Sequence, residues 1–143
     1  MVFQDPYGSL NPRKTIGTTL SLAIKIHFKL SEDEIKNKVF ELLEKVELTP
    51  PEVFYERHPH ELSGGQQQRV AIARAISTEP KLIISDEAVA SLDMSIRSEI
   101  LKLLKKINIE TKVSMIMISH DLSVLKNMCN RIAIMHLGKI VEI

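Results

Sequence analysis

Residues Leu62–Ala75 read LSGGQQQRVAIARA, and this stretch decides the expected architecture. Ser63 can cap a helix that Gly64 and Gly65 open, because a serine hydroxyl accepts hydrogen bonds from the first backbone N–H groups. The two glycines carry no Cβ, so an anion can approach their N–H groups, and the helix N-terminus adds a partial positive charge. An ordinary serine-capped helix that binds no ligand would explain the same residues. The bare Ser-Gly-Gly therefore leaves open whether this helix end is a simple cap or an anion site.

Short apolar runs follow this helix and alternate with further helical segments. Leu82–Ile84 and Val113–Ile118 are expected to be buried strands, and Met1–Phe3 reads as the end of another. Such alternation predicts a parallel sheet with helices packed on it, in which ligands gather at the carboxyl ends of the strands. The polar residues that follow the three strand ends are Gln4, Asp86 with Glu87, and Ser119 with His120. We therefore expect an amide, two acids and an imidazole to converge on one edge of the sheet.

The remaining segments are assigned from capping residues and hydrophobic periodicity. Ser31 and Glu34 predict a capping box before a helix that extends to Glu47, and Asp93 or Ser95 caps a later helix. The other expected helices are Thr15–His27, the segment from Gly64 to before Pro80, and Asp121–Asn130. The segments expected to be irregular are Asp5–Arg13 and Glu52–Glu61, and the expected terminal strands are Arg131–Met135 and Lys139–Ile143.

The composition is that of a folded domain without a marked charge. The chain has 143 residues, of which 44% are hydrophobic, and a formal net charge of +1. This balance provides no broad field for nucleic acid, so no nucleic-acid partner is expected. No apolar run approaches the roughly 20 residues that span a bilayer, so any membrane role is expected to come through a partner protein.

Five motifs, in this order, resemble those of the ATPase domains of ATP-binding cassette (ABC) transporters. VFQDPYGSLNPR resembles the Q-loop, LSGGQQQR the signature motif, LIISDE the Walker B strand, ASLD the D-loop and MIMISHD the switch-histidine strand. The resemblance covers essentially the whole chain, and FQDPYGSLNPR and HLGKIVEI are most similar to the oligopeptide and dipeptide importers, including their nickel-importing relatives.

The resemblance implies an α/β fold, with a P-loop-NTPase-like parallel sheet flanked by helices and with a helical subdomain. It implies one partial ABC ATPase domain over residues 1–143, with the helical subdomain at 14–62. The signature helix, Walker B strand, D-loop and switch-histidine strand then occupy 63–143. The strand that carries the phosphate loop is expected to be missing from this sheet.

The resemblance also assigns a role to each candidate site residue. It implies that Asp86 holds Mg²⁺, that Glu87 is the general base for the attacking water, and that His120 contacts the γ-phosphate. Gln4 is expected to touch Mg²⁺ and water, and Asp93 to act across a dimer. The residues expected to close over ATP on the other subunit are Ser63, Gly64, Gly65 and Gln66. The expected ligands are therefore ATP and Mg²⁺.

No G-x-x-x-x-G-K-[ST] phosphate loop occurs in the sequence. In the family this loop precedes the Q-loop, so we expect a chain truncated at its N-terminus that alone binds ATP weakly and does not hydrolyse it. The resemblance implies a head-to-tail dimer with a second ATPase subunit. It further implies that transmembrane permease subunits dock on Thr15–Glu47 and hold the protein at the cytoplasmic face of the cell membrane, as a peripheral subunit.

Two alternatives to an importer ATPase remain open. A non-transport ABC ATPase of the DNA-repair type is expected to have a long coiled coil between the Q-loop and the signature motif. The segment between Gln4 and Ser63 instead contains one strongly predicted helix and no sustained heptad repeat, which fits a transporter. The second alternative is a non-catalytic remnant or docking module, with which the absent phosphate loop is consistent.

Overall fold

The computed structural model describes residues 1–143 and contains seven α-helices, one 3₁₀-helix and four strands. In chain order the elements are α1 (Pro6–Ser9), α2 (Ile16–His27), α3 (Glu32–Lys45), α4 (Pro51–Glu56), the 3₁₀-helix (Pro59–Glu61), α5 (Gly64–Ile76), β1 (Leu82–Asp86), α6 (Met94–Thr111), β2 (Ser114–Ile118), α7 (Leu122–Met128), β3 (Ile134–His136) and β4 (Lys139–Glu142). The first half of the chain is therefore mainly helical, and the named strands follow α5.

β1 is the centre of a small parallel sheet. It pairs with β2 in parallel over all the residues of both strands. On its other side, Val2 forms a parallel bridge with Ser85. The sheet order is therefore the Val2 segment, β1 and β2, and the expected parallel α/β arrangement is confirmed. Because all three segments run in the same direction, their carboxyl ends lie at one edge of the sheet.

The helices α2, α3 and α4 contact one another in the N-terminal half of the chain. The capping box predicted for α3 is present, since Ser31 Oγ accepts from Glu34 N and Glu34 Oε2 accepts from Ser31 N at 2.8 Å. Residues 14–62 contain these helices and no strand. Their treatment as a separate subdomain remains a prediction.

Both segments that were expected to be irregular contain short helices. The segment Glu52–Glu61 contains most of α4 and the whole 3₁₀-helix, and Phe54 within it is buried. Within Asp5–Arg13, α1 begins at Pro6, which is also buried. The expectation failed because proline counts as a loop signal in general, yet it is favoured at the first position of a helix, where its missing N–H has no partner.

The helices α5 and α6 contact each other and carry much of the buried core. On α6, Ile100, Leu104 and Ile107 are at most 1% exposed, whereas Ile96, one turn earlier, is only half-buried. Burial of each such side chain stabilises the fold by about 1.5–3 kcal/mol. The core is one continuous cluster that reaches from α2 and α3 to α6. None of the helices combines the length and the hydropathy that crossing a membrane requires.

β2 is less buried than the sequence predicts. Val113–Ile118 was expected to be a buried strand, but Ile116 and Ile118 are 50% and 49% exposed. The reason is that β2 is an edge strand with one uncovered face. β3 and β4 form an antiparallel hairpin whose residues are all exposed. Both terminal strands are present, but β3 begins three residues later and ends one residue later than the predicted Arg131–Met135, and β4 ends one residue before the predicted Ile143.

Candidate active site

The N-terminus of α5 is capped by a serine within a capping box. Ser63 Oγ accepts from Gln66 N at 3.3 Å, and Gln66 Oε1 accepts from Ser63 N at 3.0 Å. The first N–H groups of a helix have no acceptor within it. Those of Gly64 and Gly65 therefore remain available to an anion, and Gly64 lies exposed at the surface. The capped helix and the anion site are compatible interpretations of the same residues.

The second glycine of the motif is required by close packing. A Cβ on Gly65 would lie 2.6 Å from Ile96 Cγ2, whereas a Cβ on Gly64 would meet only Leu92 Cδ2, at 3.8 Å. Leu92 and Ile96 flank Asp93, which is the residue before α6. The structure therefore places the signature residues beside the loop that carries Asp93.

Glu87 and His120 are in direct contact. Glu87 Oε1 accepts from His120 N at 3.1 Å and lies 2.8 Å from His120 Nδ1. The two residues follow β1 and β2, whose ends are also joined by a bond from Glu87 N to Ile118 O at 3.0 Å. The Glu87 side chain is 22% exposed and the His120 side chain 79%. A partly buried acid thus meets an imidazole that is open to a ligand.

The backbone of Glu87 is in the left-handed region, with φ 48°. This conformation costs a residue with a Cβ about 1–2 kcal/mol, and it persists only where the surroundings fix it. Ala88 and Val89, which follow directly, are buried and anchor the turn. Glu87 O accepts from Ala90 N at 3.0 Å, which closes it. The strained residue is therefore the one that contacts the histidine.

Gln4 lies at the same edge of the sheet. Val2 N donates to Ile84 O at 2.8 Å, and Asp86 N donates to Val2 O at 2.9 Å, so Gln4 follows the strand that flanks Asp86. Gln4 O accepts from Ser91 Oγ at 3.2 Å. The Gln4 amide and the Asp86 carboxylate take part in no salt bridge or side-chain hydrogen bond of the chain. Their oxygens fit the ligand preference of Mg²⁺.

Asp93 caps α6. Its Oδ1 accepts from Ile96 N at 3.0 Å and from Ser95 Oγ at 2.7 Å. The hydrogen bond from Ile96 N, with a further contribution from the Ser95 hydroxyl, lowers the pKa of the Asp93 carboxyl. Asp93 is therefore ionised at neutral pH and exposed beside the signature residues. Of the two caps proposed for α6, Asp93 is the cap, and Ser95 donates to it.

Sequence reasoning missed Asp121 and Arg97, which brace the histidine loop. Asp121 caps α7 by accepting from Ser123 N at 2.9 Å, and this bond chiefly lowers the pKa of its carboxyl. Arg97 Nη1 lies 3.6 Å from Asp121 Oδ2, and Arg97 Nη2 donates to Leu92 O at 3.4 Å. The residue after His120 is thus linked to the Asp93 loop. The position of Asp121, directly after His120, is the signal that was available.

Two arginines of α5 were also missed, although both lie in the signature stretch. Arg74 donates to Ser9 O at 2.6 Å and to Ser9 Oγ at 3.2 Å, and burial lowers the pKa of its guanidinium. Arg69, with a side chain 11% exposed, pairs with Glu47 at 2.6 Å and with Glu99 at 3.1 Å. These contacts fix α5 against α1, against the end of α3 and against α6.

The fold and the sequence together define a protein of the ATP-binding cassette class. Residues 1–90 match the sequence profile described as ABC transporter, and the chain belongs to this family. It is 46% identical to the glutathione import ATP-binding protein GsiA of Escherichia coli O6:H1 and 44% identical to the dipeptide transport ATP-binding protein DppF of Haemophilus influenzae. Each alignment covers 99% of this chain but only 22% of GsiA and 43% of DppF. The family resemblance drawn from the motifs is confirmed.

Solved structures of ABC cassettes share the fold. The chain superposes on cbiO1 from Clostridium perfringens, described as part of the ABC transporter complex cbiONQ, with a TM-score of 0.85 and 34% identity. It superposes on the dimeric cassette MJ0796, in a post-hydrolysis state bound to ADP and Pi, with a TM-score of 0.71 and 34% identity. The alignments cover 98% and 86% of this chain, and 54% and 53% of those chains. The chain thus spans about half the length of these solved relatives.

Proposed function

We propose that the chain is part of the ATP-hydrolysing subunit of an ABC importer for peptide-type solutes. The observation that carries the proposal is the contact between Glu87 and His120 at the carboxyl edge of β1 and β2. Transfer of a phosphoryl group to water needs a group that orients the water and groups that bind the phosphate. The family, and relatives named for glutathione import and dipeptide transport, support the nucleotide and the solute class.

Glu87 is the proposed general base. Its Oε1 is held by the backbone N–H and the ring of His120, so the other carboxylate oxygen is left to accept a hydrogen bond from the attacking water. The His120 ring contacts Glu87 through Nδ1, which leaves Nε2, on the opposite side of the ring, for the γ-phosphate. One contact thus orients both the base and the phosphate-binding imidazole.

Asp86 and Gln4 are the proposed Mg²⁺ residues. Mg²⁺ requires oxygen ligands in octahedral geometry and usually keeps several waters, so one carboxylate and one amide oxygen suffice beside substrate phosphates. Both side chains are free of other partners: Asp86 is the last residue of β1, and Gln4 follows the segment that pairs with β1 through Val2. When bound, Mg²⁺ would neutralise charge on the β- and γ-phosphates.

A second ATPase subunit, arranged head to tail, is proposed to complete the site. The capped N-terminus of α5 presents Ser63, Gly64 and Gly65 to ATP held by that subunit. Gln66 uses its Oε1 for the cap, so its Nε2 is left for the nucleotide. Asp93 lies beside these residues and is proposed to act across the same interface.

Permease subunits are proposed to dock on Thr15–Glu47, so that the protein lies at the cytoplasmic face of the membrane as a peripheral subunit. On α2, Leu22 and Ile26 are 40% and 77% exposed, and Leu30 beyond it is 36% exposed. Apolar side chains grouped at a surface favour contact with another protein. Their position on α2 supports this part of the chain as the docking surface.

Replacement of the proposed base tests the function. In the complete natural polypeptide, assembled with its permease in lipid vesicles, Glu87→Gln should lower ATP hydrolysis at least about 100-fold. ATP binding should remain, because an amide replaces the carboxylate at the same volume. Glu110→Gln makes the same change at an exposed position of α6 and should alter neither property. Normal turnover by Glu87→Gln would remove Glu87 from the role of base.

The isolated chain provides a second test. The sequence contains no phosphate loop, so its main contacts to β- and γ-phosphates are absent and ATP binding should be weak. Calorimetric titration of residues 1–143 with Mg·ATP should show no affinity in the micromolar range and no hydrolysis. A micromolar dissociation constant would contradict this prediction.

A further inference from the structure

A cavity of about 370 Å³ lies at the amino edge of the sheet, opposite the candidate active site. One wall is α3, and the others are the ends of α5 and α6 with the segments that lead into β1 and β2. None of the candidate site residues lines it. Its volume is at the lower end of the range of small-molecule pockets, so it suits a small metabolite better than a nucleotide.

The floor of this cavity is apolar and belongs to the core of the protein. Four aliphatic side chains form it, each between 2% and 8% exposed, namely Leu42, Ile76, Ile83 and Val113. All four are members of the one continuous core cluster. An aliphatic group that enters the cavity would therefore extend the core and leave water, which is favourable.

The rim of the cavity is charged. Lys38, Glu41 and Lys45 lie on one face of α3 because they are three and four positions apart, and Glu79 lies across from them. Lys38 Nζ forms a salt bridge with Glu79 and lies 4.1 Å from the centre of the Phe28 ring. The charges of Lys38 and Glu79 thus neutralise each other, and neither is available to a ligand.

The other two charges of the rim have no partner in the chain. Glu41 and Lys45 take part in none of its salt bridges. A glutamate four positions before a lysine is the order that pairs best on a helix, yet these two do not pair. Lys45 is half-buried, so its ammonium is held near the cavity by its packed stem. One free carboxylate and one free ammonium therefore stand side by side above an apolar floor.

This combination selects the chemistry of the occupant. A simple anion at Lys45 would be repelled by Glu41, and a simple cation at Glu41 would be repelled by Lys45. A zwitterion satisfies both groups at once. In a free α-amino acid the ammonium and the carboxylate are attached to the same carbon, which matches two side chains one helical turn apart. The terminal charges of a dipeptide are further apart and match less well.

We propose that this cavity binds a free α-amino acid with a branched aliphatic side chain. The carboxylate of the amino acid pairs with Lys45, its ammonium pairs with Glu41, and its side chain packs on Leu42 and Ile83. The ligand joins α3 to the segments that lead into β1 and β2. The proposal does not depend on the proposed function, because the cavity and the candidate active site share no residue.

A methyl-resolved NMR titration of the chain with L-leucine, without nucleotide, tests the site. The methyl signals of Ile76, Ile83 and Val113 should shift and saturate with a dissociation constant of about 1 mM or lower. Those of Ile26 and Ile109, which are 77% and 67% exposed and outside the cavity, should not move. Glycine has the same two charges but no side chain, so it should bind at least about tenfold more weakly.

Matched variants probe the two charges. Glu41→Gln and Lys45→Gln should each weaken leucine binding at least about tenfold, because each removes one charge-assisted contact. Glu44→Gln and Lys106→Gln make the same changes at exposed positions outside the cavity and should leave binding unchanged. On the unaltered chain, leucinamide lacks the carboxylate and 4-methylpentanoate lacks the ammonium. Both should bind at least about tenfold more weakly than leucine, which decides the matter if a variant does not fold.

The outcomes that would overturn the proposal are separate for each part of the ligand. The absence of saturable shifts at the floor methyl groups would remove the site. Equal binding of glycine would exclude the apolar floor, and equal binding of leucinamide or 4-methylpentanoate would exclude the zwitterion. Tighter binding of leucyl-leucine than of leucine would overturn the free amino acid in favour of a peptide. Since the titration contains no ATP, none of these results bears on Glu87 as the proposed base.

Discussion

A methyl group added at Gly65 tests how closely the signature helix packs on α6. Its Cβ would lie 2.6 Å from Ile96 Cγ2, which is far inside van der Waals contact. Ile96 is β-branched and on a helix, so its χ1 is largely fixed and the methyl group cannot rotate away at low cost. A Cβ at Gly64 would make only ordinary contact with Leu92, at 3.8 Å. The two neighbouring glycines thus form a matched pair.

The expected magnitudes follow from two opposing terms. Overpacking costs about 1–3 kcal/mol, and alanine in place of glycine in a helix returns at most about 1 kcal/mol. Gly65→Ala should therefore lower the free energy of unfolding by about 1–2 kcal/mol. Gly64→Ala lacks the clash, so it should leave that free energy unchanged or raise it by up to about 1 kcal/mol.

Urea denaturation followed by far-UV circular dichroism measures both values, provided that the slopes with denaturant agree. A double-mutant cycle then isolates the clash, because Ile96→Ala removes the opposing methyl group. The loss in free energy of unfolding caused by Gly65→Ala should be at least about 1 kcal/mol smaller in the Ile96→Ala background than in the unaltered chain. The packing argument is refuted if Gly65→Ala is as stable as Gly64→Ala, or if the effects of Gly65→Ala and Ile96→Ala simply add.

The same denaturation assay checks three further expectations. Ile107 is fully buried, so Ile107→Ala should lower the free energy of unfolding by about 2–5 kcal/mol, whereas Ile109→Ala, at a position 67% exposed, should shift it by less than about 0.5 kcal/mol. Arg69→Ala removes the mainly buried guanidinium that joins α5 to Glu99 and should lower the free energy of unfolding by about 2 kcal/mol. Arg69→Lys should recover less than half of this loss, because lysine lacks the planar guanidinium that can bind two partners at once. The pKa of Asp93 is lowered in the folded state, so its stabilising contribution is present above its usual pKa near 3.8 and is lost as the pH falls through the folded value. Asp93→Asn should therefore flatten the loss of stability measured between about pH 5 and pH 3, and an unchanged pH dependence would contradict the cap assignment.

Features that depend on neighbouring residues were predictable from the sequence. The caps at Ser31 and Ser63 each need one partner three positions later, so the pattern contains all the information. The parallel sheet followed from the alternation of strands and helices, because parallel neighbours require crossovers. From the same alternation, the sequence predicted that the carboxyl ends of three strands lie at one edge of the sheet, together with Gln4, Asp86 and His120.

Features that depend on distant residues were not predictable. The apolar run in β2 indicates burial, yet a strand is buried only if something covers both its faces, and Ile116 remains half exposed. The pairings of Arg74 with Ser9 and of Arg97 with Asp121 join segments far apart in the chain. An arginine in an amphipathic helix gives no sign of which distant partner it will find.

The turn at Glu87 explains why the second acid, not the first, contacts the histidine. In a continuous strand, successive side chains point to opposite faces, so Asp86 and Glu87 would diverge and the sequence alone does not say which of them reaches His120. The left-handed backbone at Glu87 ends that alternation, and Glu87 N at the same time bonds to the last residue of β2. The two strand ends are thereby drawn together at the position where the acid meets the ring. The backbone strain at this one residue therefore separates Glu87, the proposed base, which contacts His120, from Asp86, the proposed Mg²⁺ residue, which does not.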